Sequence, residues 1–151
     1  MVVYTAASAG HSHTLADCLD AWADNTLATV HLLEALLAVP DAVLVHVGAG
    51  TEYGPSTLPL TEDDQGLPLT VRGLTKRAAT MAVRQWAAEH GRAAVVVRPF
   101  SIYGPREQLT KLIPTLLHCA ATGRPFPTLA TVSRRDLVHV ADVAEGRTDG
   151  R

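Results

Sequence analysis

Three short apolar runs punctuate a chain otherwise built of longer, helix-period segments. They are Val2–Ala7, Ala42–Val47 and Ala93–Val97. Each is rich in β-branched residues and nearly continuous rather than alternating, as strands buried on both faces of a parallel sheet read. Between them apolar residues recur at helical spacing. From about Leu15 to Ala38 they fall at Leu15, Leu19, Trp22, Leu32, Leu33, Leu36 and Leu37, and Pro40 stops the helix. From about Thr70 to His90 they fall at Leu74, Ala78, Met81, Ala82, Trp86 and Ala87, with Gly91 as the C-terminal stop. A third pattern, from about Gln108 to Thr122, carries Leu109, Leu112, Ile113, Leu116 and Leu117 and ends at Gly123. Pro114 inside it predicts a kink or a late helix start. Strands alternating with helices predict an α/β fold with a parallel sheet.

Ligands of such sheets sit beyond the carboxyl ends of the strands. The segments there are Ala6–His13, Gly48–Pro55 and Arg98–Pro105, all rich in Gly, Ser, Thr or Pro. Pro55–Pro68 is polar and turn-rich, a surface loop placed to cover a site, and the charged tail after Ala144 is expected to fray. The 151 residues suit one domain, and 47% apolar against 19% charged residues can fill its core. A net charge of -2 argues against a general nucleic-acid or anionic-membrane binder. Cys18 and Cys119 form neither a disulfide framework nor a zinc signature. No apolar run reaches the roughly 18 residues of a membrane span, and the first residues do not read as a secretory signal. The expected setting is soluble and cytoplasmic.

The strand-end segments carry a resemblance. Val2–Ala7 is similar to the fourth strand of the extended short-chain dehydrogenase/reductases, the NAD-dependent epimerases and dehydratases of nucleotide sugars. Asn25–Ala35 resembles that family's Asn, Thr and Leu-Leu-Glu-Ala helix, and Leu44–Gly54 its fifth strand and catalytic loop. Thr75–Ala79 resembles the catalytic lysine helix, Val95–Glu107 the Arg-Pro and Tyr-Gly-Pro motif, and Arg134–Gly146 the Arg-Asp, His-Val and Asp-Val-Ala motif. These lie in family order over nearly the whole chain. The resemblance implies a Rossmann-type parallel sheet flanked by helices, occupying 1–151 as a single partial domain, with 123–146 beginning a substrate lobe. It implies NAD or NADP as cofactor and a nucleotide sugar as substrate. Lys76 would be the catalytic lysine, touching the nicotinamide ribose. Ala6 and Ala7 would allow close approach of the cofactor, and Pro99 and Tyr103 would line its nicotinamide side.

Two departures bear on activity. The family's triad is Ser or Thr, Tyr and Lys, with the Tyr one helical turn before the Lys. The Tyr hydroxyl exchanges a proton with substrate, and the Lys cation lowers its pKa. Here Arg72 stands one turn before Lys76, and Ala49 stands at the hydroxyl position. A guanidinium, with a pKa above about 12, is a poor proton acceptor near neutral pH. Thr51 is the one Ser or Thr of that loop and could substitute if the loop shifts. The chain also contains no Gly-x-x-Gly-x-x-Gly turn for the pyrophosphate, so the fold is expected to be incomplete, with the first βαβαβ half absent. The Val2–Ala7 strand would then be a free apolar edge, inviting self-association or pairing with another chain.

The remaining candidates have plain readings. His11 and His13 alternate, but without an acidic or cysteine cluster they read as a solvated loop, so no metal is expected. His46 reads as a satisfied core histidine, His118 and Cys119 as packing residues, and His139 as structural with Asp142 capping the helix after it. Glu62, Asp63 and Asp64 read as a solvated loop. Arg135 either forks onto a substrate diphosphate or pairs with Asp136. Arg72 with Lys76 is either an anion site or two solvated like charges. The sequence therefore predicts an epimerase/dehydratase relative with impaired catalysis. The alternatives are a non-catalytic anion-binding or assembly subunit pairing through its sheet edge, or a truncated relic.

Overall fold

The computed structural model describes residues 1–7, 14–126 and 135–146. The chain divides into two compact units, Met1–Pro99 and Phe100–Arg151. In the first, β1 (Val2–Tyr4), β2 (Leu44–Val47) and β3 (Ala94–Val97) form a parallel sheet in the order β1-β2-β3. Val3 is in register with Val45, and Val45 with Val95. The strands sit where the apolar runs lie but are shorter. β1 stops at Tyr4, leaving Ala6 and Ala7 exposed beyond its carboxyl end.

Burial within the sheet alternates, which corrects the expectation of strands covered on both faces. Leu44 and His46 are fully buried, and Val2, Tyr4, Ala94 and Val96 face the same core. Val3, Val95 and Val97 are exposed. The reason is that the helices of this unit pack on one face: Leu33, Leu36, Val83 and Trp86 close over Leu44 and Ala42.

The first helical pattern is one run in three parts. α1 (Leu15–Trp22) passes through a π-helical stretch (Ala23–Leu27) into α2 (Ala28–Leu36). Thr14 starts it with a capping box, its hydroxyl accepting from the Asp17 amide while the Asp17 carboxylate accepts from the Thr14 amide. At the other end Arg92 serves as a cap supplied from outside the helix. Its guanidinium donates to the carbonyls of Leu36, Leu37, Val39 and Pro40 and lies 5.9 Å from the Trp86 ring centroid. α3 (Val71–His90) begins at Thr70, whose hydroxyl accepts from the Gly73 amide, and ends on Gly91 with φ +61.

The buried stripe of α3 is Gly73, Thr75, Lys76, Ala79, Thr80, Val83 and Trp86. Leu74 and Met81, expected in the core, are exposed, as are Leu15 and Leu19 of α1. Small and polar side chains fill the first turns of the stripe, from Gly73 to Thr80, and Val83 and Trp86 carry it into the apolar core.

The second unit holds features too short to leave a periodic signal. β4 (Ser101–Tyr103), in a segment expected to be a loop, pairs in parallel with β5 (Leu137–His139). α4 (Leu112–Thr122) starts late rather than kinking, so Pro114 lies in the first turn, where its missing N–H costs nothing. α5 (Val140–Glu145) is capped by His139, whose Nδ1 accepts from the Ala141 amide. Asp142, expected as the cap, sits inside the first turn. His118 is exposed rather than packed.

Candidate functional site

β2 delivers the chain into a turn that is zipped onto the end of β3. The Gly48 amide donates to the Val97 carbonyl at 2.8 Å, and the Gly50 amide to the Pro99 carbonyl at 2.8 Å. A 3-10 turn follows over Gly50–Glu52. Glu52 then folds back, and its Oε1 accepts from the Ala49 amide at 2.7 Å. A Cβ at Gly48 would collide with that carboxylate, so the turn needs glycine there. Arg98 lies over the Tyr53 ring, 4.3 Å from its centroid, and donates to the Glu62 carbonyl. Arg77 donates to the carbonyls of Gly66 and Glu52. Two guanidiniums thus pin the 55–68 loop beside the turn.

The facing surface comes from α3. Lys76 is 3% exposed and its Nζ donates to the Val47 carbonyl at 2.8 Å. An ammonium has three donors, so two are not used by the described residues. Arg72 lies one turn earlier on the same face, half-buried, with its Nε buried and without a hydrogen-bond partner among the described residues. Gly73 lies against the Thr51 carbonyl, which a Cβ would strike. This brings the Thr51 turn to the first turn of α3, with the Thr51 side chain exposed.

The π-helical stretch braces this turn from behind. Asn25, 1% exposed, donates from Nδ2 to the Thr75 hydroxyl at 2.9 Å, which donates to the Arg72 carbonyl at 3.1 Å. The Thr26 hydroxyl donates to the Thr75 carbonyl at 2.9 Å, and the Thr29 hydroxyl to the Asn25 carbonyl at 2.7 Å. Such single-turn π stretches cluster at functional sites.

Burial shapes the charges. Lys76 is held below its ordinary value by desolvation; Glu52 pulls it back up and Arg72 pushes it further down. Burial pushes the Glu52 carboxyl up, against the Thr80 hydroxyl, the Ala49 amide and the Arg98 and Lys76 cations. Burial lowers His46 to about 4, and Lys76 adds to that shift. His46 is therefore buried, as expected, but not satisfied: neither ring nitrogen has a hydrogen-bond partner among the described residues, and the ring stacks on Tyr4 at 6.0 Å.

Of the residues expected at a site, Lys76, Arg72, Thr51, Pro99, Ala6 and Ala7 belong to the first unit. Tyr103 and Arg135 belong to the second. Tyr103 meets His139 edge-on at 5.4 Å, and Arg135 is exposed ahead of β5, with no ion pair to Asp136 among the described residues. His11 and His13 lie outside the described residues. Among the described residues, no group of three or more His, Cys, Asp or Glu side chains could hold a metal ion. Nor is any helix long and apolar enough to cross a membrane. Sequence reasoning gave no role to Asn25, Glu52 or Arg98. A buried role for Asn25 could have been suspected from a polar residue breaking the apolar stripe of its helix.

A sequence model of the NAD dependent epimerase/dehydratase family matches residues 1–148. The chain belongs to this family. It is 32% identical over 140 residues to a UDP-glucose 4-epimerase of Corynebacterium glutamicum, covering 82% of this chain and 43% of that enzyme. It is 31% identical over 146 residues to a dTDP-glucose 4,6-dehydratase of Mycolicibacterium smegmatis, covering 93% of this chain and 44% of that enzyme. The dTDP-glucose 4,6-dehydratase of Bacillus anthracis, solved in complex with NAD, superposes with a TM-score of 0.81 at 27% identity, over 95% of this chain and 44% of that one. The chain thus spans less than half the length of these relatives. Its sheets and helices are those of the Rossmann-type fold that these enzymes share.

Proposed function

We propose that this chain carries the nicotinamide and sugar side of a nucleotide-sugar epimerase/dehydratase site in which proton transfer is disabled. One observation carries the reading: a buried Lys76 with two unused donors, and an arginine on the same face one turn before it. Lys76 would donate to the nicotinamide ribose hydroxyls. Ala6 and Ala7, exposed beyond β1, have no bulk to oppose a flat ring, and Pro99 flanks the same strand ends. When bound, NAD or NADP supplies the hydride acceptor. The residues present fit that end of a dinucleotide. The chain's sequence has no glycine-rich turn to fit the pyrophosphate, so that part of the site would come from elsewhere. In the second unit, the exposed guanidinium of Arg135 suits forked binding of a diphosphate, and Tyr103 stands at the Tyr-Gly-Pro motif.

Arg72 cannot take the substrate proton near neutral pH, and Ala49 cannot orient the substrate oxygen. Thr51 carries an exposed hydroxyl in the same turn. The second reading, an anion-binding or assembly subunit, is favoured by the buried, unpartnered Nε of Arg72 beside Lys76. Calorimetric titration with NAD, UDP-glucose and dTDP-glucose separates the two, run on the chain and on an Arg72→Tyr variant carrying Ala49→Ser. Similar binding by both forms is expected, since the changes alter the chemistry rather than the enclosure. Binding lost in the variant alone would favour the anion-binding reading, and no binding by either would contradict the site.

A further inference from the structure

We propose that Glu52 is the positioning residue of this site, holding the Gly48–Gly54 turn through the Ala49 amide and setting the charge of Lys76, whose Nζ is bound at the Val47 carbonyl just before that turn. The side chain is 2% exposed, and no surface requirement explains a carboxylate there. Its Oε1 fixes the amide of Ala49, which stands at the Ser or Thr position in the reading above. Its own backbone carbonyl is held by Arg77, one residue after Lys76. Its second oxygen, Oε2, is buried, and the Thr80 hydroxyl, one turn after Lys76 on α3, is the side-chain group that favours its charged form. Both line a cleft of about 430 Å³ between α3 and residues 62–65.

The charged groups around the carboxylate come from every element packed on it. Lys76, Arg77 and Arg84 come from α3 and Arg98 from the end of β3, with Glu62, Asp63 and Asp64 across the cleft. An apolar residue at position 52 would fill the space. It would leave the Ala49 amide unpaired in a buried setting, and would leave burial and Arg72 both lowering Lys76 without Glu52 to offset them. The carboxylate does both jobs at once: it accepts the amide and offsets the burial that drives the proton off Lys76.

This inference rests on the Lys76 site being the reactive one, but its test needs neither cofactor nor substrate. Lys76 and Lys111 are the two lysines of the chain, so isotope-labelled lysine NMR resolves one buried titration with the other as an internal control. In Glu52→Gln, which keeps the shape and an acceptor, Lys76 should titrate at lower pH than in the parent chain, with Lys111 unmoved. The Ala49 amide should stay slow to exchange in Glu52→Gln and become fast in Glu52→Leu. An unchanged Lys76 titration in the folded Gln variant would overturn the proposal. So would undiminished protection of the Ala49 amide in Glu52→Leu; should that variant not fold, the Gln variant still decides.

Discussion

His46 sits in the middle of β2 with two ring nitrogens and no hydrogen-bond partner for either among the described residues. A buried, unpaired polar atom costs about 1–3 kcal/mol. Its folded pKa of about 4 lies below the ordinary 6.5, so between those values the unfolded chain holds the proton and the folded chain does not. Stability is drained as pH falls through that window, by roughly 3 kcal/mol at about 1.4 kcal/mol per unit. Glu52 acts in the opposite sense. Its carboxyl is raised above 4.5, so the folded chain takes up that proton first and gains stability as pH falls toward 4.5. The difference between parent and His46→Leu isolates the histidine. The variant should be at least as stable at pH 7 and should lose less on going from pH 6.5 to pH 4. Urea unfolding midpoints across that range check this, and parallel curves would refute it.

At the scale of elements, the helices and the main sheet were legible in the sequence, and their faces were not. Gly91, Gly123 and Pro40 marked helix ends because backbone sterics act locally. Leu74 and Met81 misled because apolar periodicity reports a greasy face without saying what covers it. The first part of the face α3 buries, Gly73 to Thr80, is small and polar, braced by Asn25, Thr75 and Thr29, and no hydropathy pattern singles it out. β4 and β5 escaped notice because three residues cannot establish an alternation. Lys76, Arg72 and Thr51 were found through motif spacing, whereas Glu52 and Arg98 depend on a turn folding back on itself. The Arg92 cap belongs to this scale too, since it joins the start of β3 to the end of α2 across a long stretch of chain. Arg92→Ala should cost about 1–2 kcal/mol, because several helix-end carbonyls lose a charged donor together. Thermal unfolding measures it. Arg92→Lys should recover only part, because an ammonium cannot fork across those carbonyls; full recovery would contradict the capping role.

The first unit presents apolar surface on its sheet and on its helices. Val3, Val95 and Val97 face outward from the sheet, and β1 has a free edge among the described residues. Leu15, Leu19, Leu74 and Met81 are exposed on α1 and α3. Surfaces of this kind are covered in working assemblies, so we expect concentration-dependent self-association or capture of a second chain. Sedimentation velocity should detect it, and Val3→Lys should weaken it by placing a charge on the edge strand. A monomer at high concentration would refute that expectation.

The proposed silencing of the proton step by Arg72 and Ala49 is the point on which the function turns. It is tested most directly by following reduction of NAD in the presence of UDP-glucose or dTDP-glucose. The parent chain is compared with Arg72→Tyr carrying Ala49→Ser. The account predicts no reduction by the parent and sugar-dependent reduction by the variant. Equal reduction by both forms would contradict it.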